Sequence, residues 1–371
     1  MLNDRIKEIN KIKFCLLPFI QNKFIKLILI NNGFLKLNDM ELSNSQAQFF
    51  NTLKSSIPAY TSLVDEVAEL LNISMDSAYR RIRGEKLLDF SEIELICKRF
   101  NISVDKFIGT NANTILFQGK QNRYTEDSFM EWMEDVLAQL NLVNSFSKKH
   151  IYYLCKDMPP FYHYYHKELA AFKFFFWIKS ILFNERLNGS KFSLNEIFFS
   201  RYEEVTRKII KSYNLCPTTE IWNEEGINTT LRQIDLYHQM GIIDNPKDTL
   251  YLYNCVKEVV DHLEKMAEAG KKFMINQTPT NESPEYRFFV NEFVLGDNTF
   301  FVELDGNKIT YLNYGVIYFL GTADQKFNEG MFRNLDNLMK KSTQISNVGE
   351  KERKQFFNKL RKKIQGKIDL V

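Results

Sequence analysis

The sequence predicts a mostly α-helical protein: an N-terminal helical bundle, then a large helical region, then a small C-terminal α+β part with an antiparallel β-meander. Three observations predict it. Apolar residues recur at helical spacing through most of the chain from Phe49 to Ala269. Glycine and proline are scarce, at 15 and 8 of 371 residues, which disfavours a loop-rich fold. Strand-like runs with hairpin signals are confined to the stretch from Phe288 to Leu320.

The length allows two or three domains with well-filled cores, and 44% hydrophobic with 26% charged residues is a globular balance. With 32 Phe and 17 Tyr, those cores are bulky. Five cysteines, at 15, 97, 155, 216 and 255, form no CxxC pair and no regular framework, which indicates a reduced, cytoplasmic setting. Residues 1–39 lack clear periodicity. Pro18 breaks their best apolar run, and Lys23, Lys26 and Lys36 exclude a membrane span. The segment reads as an N-terminal extension, with translation expected to start at Met40; without it the formal net charge falls from +3 to about −1.

Ser43-Asn44-Ser45-Gln46 is a capping-box pattern that opens a first helix, with Phe49, Phe50, Leu53 and Ile57 on one face and Pro58 ending it. Ser62 to Asn72 forms a second, placing Leu63, Val67, Leu70 and Leu71 on one face and small Ala68 where another helix crosses. Asn72 tolerates the left-handed backbone that ends helices, and Ser74 caps a short helix from about Met75 to Arg83 that stops at Gly84. Only Ala78 and Ile82 offer it buried positions. With their bisector taken as inward, at ~100° per residue, Arg80 and Asp76 point farthest outward, Ser77 and Arg83 next, and Tyr79 lies on the flank. Ser91-Glu92-Ile93-Glu94 is a further capping box leading into Ile93, Ile96, Cys97 and Phe100, and Ser103 to Ile108 supplies a last short helix.

The run A-E-L-L-N-I-S-M-D-S-A-Y-R-R-I-R-G-E-K from Ala68 to Lys86, followed by S-E-I-E-L-I-C-K-R-F-N-I-S-V-D-K-F from Ser91 to Phe107, resembles the lambda-repressor-like (Xre-type) helix-turn-helix family. The resemblance covers Ser43 to Gly109, with Asn72 standing where the family usually has Gly. It implies a five-helix bundle that binds operator DNA, commonly as a homodimer. The candidate DNA-binding residues are Ser74, Asp76, Ser77, Tyr79, Arg80, Arg83 and Lys86: Arg forms bidentate bonds to guanine, Ser serves either base type, and Tyr reaches phosphate or stacks. The Met75-Asp76 opening is less polar and more acidic than the family's, so base preference does not carry over.

Two features weigh on the other side. Asp76 and Arg80 are spaced i, i+4 in the favourable order for a surface ion pair. From Ser62 to Gly109 seven basic residues face nine acidic ones, whereas DNA binders carry a basic footprint; locally, Arg80, Arg81, Arg83 and Lys86 face only Asp76 and Glu85.

Thr110 to Asn122 is a polar linker, with Ile115 to Phe117 as a short strand, and a helical aromatic-rich domain spans residues 123–277. Phe129, Met133, Val136, Leu137, Leu140 and Val143 form a helical stripe, either core or a dimer seam. Between Ile151 and Phe183 aromatic side chains fall on every face of a helix, which makes buried core or a pocket wall. His163 and His166 stand i, i+3 without a third clear ligand, so no metal is expected. Helices follow at Leu194 to Tyr213, Thr229 to Met240 and Thr249 to Ala269, with turns at Cys216-Pro217 and Asn223 to Gly226.

In residues 278–371 the runs Phe288 to Leu295, Thr299 to Leu304, Lys308 to Tyr314 and Val316 to Leu320 read as strands of the meander. Gly296-Asp297-Asn298 and Asp305-Gly306-Asn307 join the first three. Helices at Asn328 to Ser346 and Glu350 to Ile364 complete this part, which packs with the helical domain. Between Lys351 and Lys367 eight basic residues stand against Glu352 alone, as a solvated helix face or a phosphate contact.

No P-loop, strand-borne GxGxxG, HExxH, GxSxG or paired zinc-ligand spacing occurs, so no catalytic residue and no cofactor are expected. The chain reads as a cytoplasmic, sequence-specific transcriptional regulator on double-stranded DNA, a homodimer whose C-terminal region senses a small-molecule or protein effector, dimerises, or both. The alternative is a non-enzymatic protein- or small-molecule-binding protein that retains the helical bundle without a specific DNA site.

Overall fold

Among the described residues, apolar stripes close three separate clusters, one in the first part of the chain and two in the rest. The computed structural model describes residues 46–47, 49–51, 53–54, 62–100, 102, 104, 115–119, 126–194, 197–293, 296–314 and 317–371. The chain divides into two compact units, Met1–Thr114 and Ile115–Val371.

In the first unit the described residues among 46–54 are helical, and α1 (Leu63–Leu71), α2 (Met75–Ile82) and α3 (Phe90–Phe100) follow. Phe49, Phe50, Leu53, Val67, Ala68, Ala78 and Ile96 fill its core. α3 starts earlier than the Ser91 capping box predicts. Asp89 Oδ1 accepts from Glu92 N at 2.8 Å and Glu92 Oε2 accepts from Asp89 N at 3.2 Å, so the reciprocal cap is Asp89 with Glu92. Among the described residues the unit has three complete helices and the helical residues before them, which corrects the expected five-helix bundle. The expectations at residues 1–39, Met40, the 43–45 part of the first cap, Ile57-Pro58 and most of Ser103 to Ile108 lie outside the described residues; Val104 is in a turn.

The second unit overturns the expected succession of a helical region and a small antiparallel meander. It is built on one seven-stranded mixed sheet. β1 (Lys149–Cys155), β2 (Thr218–Trp222) and β3 (Tyr286–Val290) are parallel neighbours. β4 (Thr299–Leu304), β5 (Asn307–Tyr314) and β6 (Tyr318–Thr322) extend the sheet antiparallel from β1, and β7 (Thr343–Gln344) closes the β3 edge. The expected first meander strand therefore pairs with β2 instead of β4, and Gly296-Asp297-Asn298 closes no hairpin. Asp305-Gly306 does join β4 to β5, with both residues at positive φ, 46° and 89°.

Parallel neighbours need crossovers, and the helices supply them. α4 (Glu126–Ser145) precedes β1; a 3₁₀ turn (Pro160–Tyr165), α5 (Lys167–Phe176) and α6 (Glu203–Asn214) link β1 to β2. α7 (Asn228–Gln239) and α8 (Pro246–Ala269) link β2 to β3. One sheet face, with Ile151, Tyr153, Trp222, Phe288 and Phe300, belongs to the large core under these helices and α10 (Glu350–Ile368). On the other face Ile221, Phe289 and Phe301 meet Leu335 of α9 (Gln325–Lys340). Buried Asn328 pins α9 there, accepting from Thr310 at 2.5 Å and donating to Lys308 O at 2.8 Å. Gln118 bridges to Gly321, so the strand contact of the expected linker falls one residue after Ile115–Phe117. Among the described residues no helix is long and apolar enough to cross a membrane.

At the centre of the sheet lies a carboxylate. Glu220 of β2 is fully buried; its Oε1 accepts from Tyr162 at 2.6 Å and Tyr213 at 2.7 Å, and its Oε2 from Trp222 Nε1 and Tyr286, both at 2.8 Å. Buried Lys272 donates to Tyr213 O at 2.7 Å and Thr218 Oγ1 at 3.0 Å. Burial pushes the Lys272 ammonium down to about 7, against the opposing pull of Glu220.

The basic run of α10 is not a free face. Lys359 pairs with Glu224, Lys363 with Glu225 at 3.1 Å, Lys367 with Asp235, and Arg361 with Asp261 at 2.6 Å and with Glu264. Arg353 is buried, donating to Ile345 O at 2.9 Å.

All three tryptophans lie in the second unit, so their fluorescence reports its unfolding alone. Glu220→Gln sets an amide donor against hydroxyl and indole donors and should cost about 3–5 kcal/mol, with Tyr286→Phe costing about 1–3 kcal/mol, read from urea midpoints. A pH dependence follows from His262, whose Nε2 bonds Phe273 O at 2.8 Å and which burial holds down to about 4. The unfolded chain takes up this proton as pH falls through about 6.5, the folded chain only near 4. Stability should therefore drop between those values, by roughly 1–3 kcal/mol from this residue. His262→Gln keeps a donor without titrating and should flatten the loss; an unchanged slope in that variant excludes His262 as its source.

Candidate nucleic-acid interface

Local backbone chemistry sets the angle between α1 and α2. Asn72 takes the left-handed conformation at φ 52°, and Ile73 N donates to Ala68 O at 3.0 Å, satisfying a carbonyl at the end of α1. Ser74 Oγ caps Ser77 N at 3.3 Å and lies 3.2 Å from Ser77 Oγ. α2 then seats Ala78, fully buried, in the core that Val67 and Ala68 line.

Of the seven predicted residues, Ser74, Asp76, Tyr79, Arg80, Arg83 and Lys86 are exposed, and Ser77 is half-buried. Ser74 and Ser77 spend hydrogen bonds on the cap, while the longer side chains form the outer face. Arg83 lies over the Tyr79 ring at 5.6 Å. The expected Asp76–Arg80 pair does not form. Glu85 instead sits 3.9 Å from Arg80 and 3.8 Å from Arg83.

Arg81, which the sequence groups with the basic cluster, is buried. Its Nε lies 3.0 Å from both oxygens of Glu92, its Nη2 donates to Oε1 at 2.5 Å, and its Nη1 donates to Ser77 O at 3.2 Å. Helical geometry places Arg81 and Tyr79 at equal angles, ~80°, on either side of the inward direction, so angle alone does not separate them. The carboxylate of α3 decides between them. Gln46, expected in a helix cap, donates to Arg81 O at 2.7 Å and Lys86 O at 2.8 Å and accepts from Leu88 N at 2.9 Å, fixing the loop after α2.

The second unit binds its own polar groups inward. His163 lies 3.1 Å from Pro160 O and 2.9 Å from Thr230 Oγ1, and buried Lys173 donates to Gln233 at 2.5 Å. Burial pushes the Lys173 ammonium down to about 7. His166 Nε2 is 3.5 Å from Glu258, away from those contacts. Among the described residues no three His, Cys, Asp or Glu side chains converge as a metal would require. A cleft of about 510 Å³ opens at the carboxyl ends of β2 and β3 against α10, lined by Asn223, Glu224, Glu225, Asn291, Glu292 and Lys359 among others. Buried Lys173 carries no signal in the sequence, because it sits inside an apolar run and its partner Gln233 lies 60 residues on.

Comparison with protein-family models, with curated proteins and with solved structures finds no match.

The two neighbouring arginines should separate cleanly. Arg81→Ala strands Glu92 and should destabilise the first unit by about 3–5 kcal/mol, whereas exposed Arg80→Ala stays within about 0.5 kcal/mol. Amide hydrogen exchange at Val67 and Ile96 measures both; equal effects would contradict this division.

Proposed function

We propose that the chain is a sequence-specific DNA-binding transcriptional regulator of the cytoplasm, without enzymatic activity, that places α2 in the major groove. The observation that carries this reading is the outer face of α2: Asp76, Tyr79, Arg80 and Arg83 project from a short helix whose inner side is locked by Ala78 and the Arg81–Glu92 pair. Structural side chains and outward ones are sorted residue by residue along eight positions. The resemblance to lambda-repressor-like helix-turn-helix proteins supports the same assignment. Arg80 reads a base edge, while Arg83 and Lys86 contact phosphate and Tyr79 supports Arg83.

The acidic balance of Ser62 to Gly109 makes one copy a modest binder, so two linked copies complete the site. The second unit provides dimerisation, recognition of a small-molecule or protein effector, or both. Lys359, Arg361, Lys363 and Lys367 of its α10 pair with Glu224, Glu225, Asp235, Asp261 and Glu264, which favours phosphate contact by the first unit.

Selection from random duplexes at moderate salt tests the reading, with inverted half-sites ~34 Å or a multiple apart expected for a two-fold dimer. Arg83→Ala should weaken binding to every duplex alike and lower the slope of log affinity against log salt by about one for each phosphate it leaves unneutralised. Failure to enrich any motif favours the alternative, a protein- or small-molecule-binding protein that keeps the helices without a DNA site.

A further inference from the structure

Asp76 stands within the outward face of α2, and no described residue engages its carboxylate. Asp65 and Glu69 of α1, off this face, likewise show no partner for their carboxylates among the described residues, while the remaining described acids of the unit are occupied. Glu66 pairs with Arg99 at 3.2 Å, Glu94 with Lys98 at 2.5 Å and Glu92 with Arg81, Asp89 caps α3, and Glu85 faces Arg80 and Arg83. Arg80, the partner that i, i+4 spacing offers to Asp76, turns the other way.

A free carboxylate on a DNA-facing surface has two fates. Against phosphate it is repelled; against the floor of the major groove it accepts a proton donor from a base. Only cytosine N4 and adenine N6 donate there. At adenine the neighbouring N7 presents a lone pair to the second carboxylate oxygen, whereas at cytosine the neighbour of N4 is a C–H. We propose, resting on the DNA-binding reading above, that Asp76 is a specificity-determining residue that selects a cytosine within about two base pairs of the guanine read by Arg80. The two side chains are one turn apart, ~6 Å along the helix, or about two base-pair rises of ~3.4 Å, so their contacts fall on nearby base pairs.

Selection from random duplexes by the full chain and by its Asp76→Asn and Asp76→Ala variants tests the assignment. Asn offers both donor and acceptor and fits adenine N6 and N7, so one motif position should change from C to A, with relative affinity shifting roughly 5- to 150-fold. Asp76→Ala should leave that position unread, and the guanine preference should persist in both variants. A wild-type motif reproduced unchanged by both variants overturns the role of Asp76 and leaves the DNA-binding reading standing. No motif from the wild-type chain overturns both. A second measurement needs no variant: N4-methylcytosine at the assigned position, which replaces the groove-facing hydrogen, should weaken wild-type binding by at least about fivefold. Undiminished binding to that duplex also overturns the assignment.

Discussion

Burying a carboxylate in the middle of a sheet is tolerable only when every acceptor site is filled, and at Glu220 four donors from four different elements do this. Tyr162 comes from the 3₁₀ turn after β1, Tyr213 from α6, Trp222 from β2 itself and Tyr286 from β3. Their convergence therefore ties the β1–β2 crossover to β2 and β3 at one point. A register slip in β2 would turn Glu220 to the opposite face, among Phe289 and Phe301, with Trp222 of the same strand, and leave Tyr162, Tyr213 and Tyr286 without the carboxylate they bond. Apolar packing gives the second unit its bulk, while this carboxylate specifies its arrangement.

The parts of the fold that are legible in sequence are those in which polarity tracks exposure. Ser62, Asn72 and Ser74 are local backbone signals, and they delimit α1 and α2 as expected. The Asp305-Gly306 turn is likewise local. β1 and β2 escape a sequence reading for a physical reason. Thr218, Thr219 and Glu220 look like surface residues but are wholly buried, against partners up to 69 residues away in sequence. β3 is recognisable as a strand but not by its neighbour, since a hairpin signal beside it competes with a parallel pairing that no local pattern reveals. In the candidate interface the outward residues follow from helical angle, while Arg81 does not, because its burial depends on Glu92 eleven residues on.

Charge is used differently in the two units. In the second, the cations of α10 are matched to acids of α7, α8 and the β2–α7 turn, so a strongly basic segment presents few unpaired cations. In the first, the arginines of α2 and its C-cap split between a buried bidentate lock, Arg81 with Glu92, and long, solvated contacts around Glu85. Solvated pairs of this kind contribute little to stability and exchange readily for other partners.

Glu85 has a kinetic consequence for the proposed complex. With both guanidinia held near one carboxylate in the free protein, the field that draws α2 toward a polyanion is weak, and encounter gains little from long-range steering. The exposed contacts of Arg80 and Arg83 to Glu85 exchange for DNA partners on docking. Correct and incorrect sites would be met at similar rates, and residence time would carry the discrimination between them.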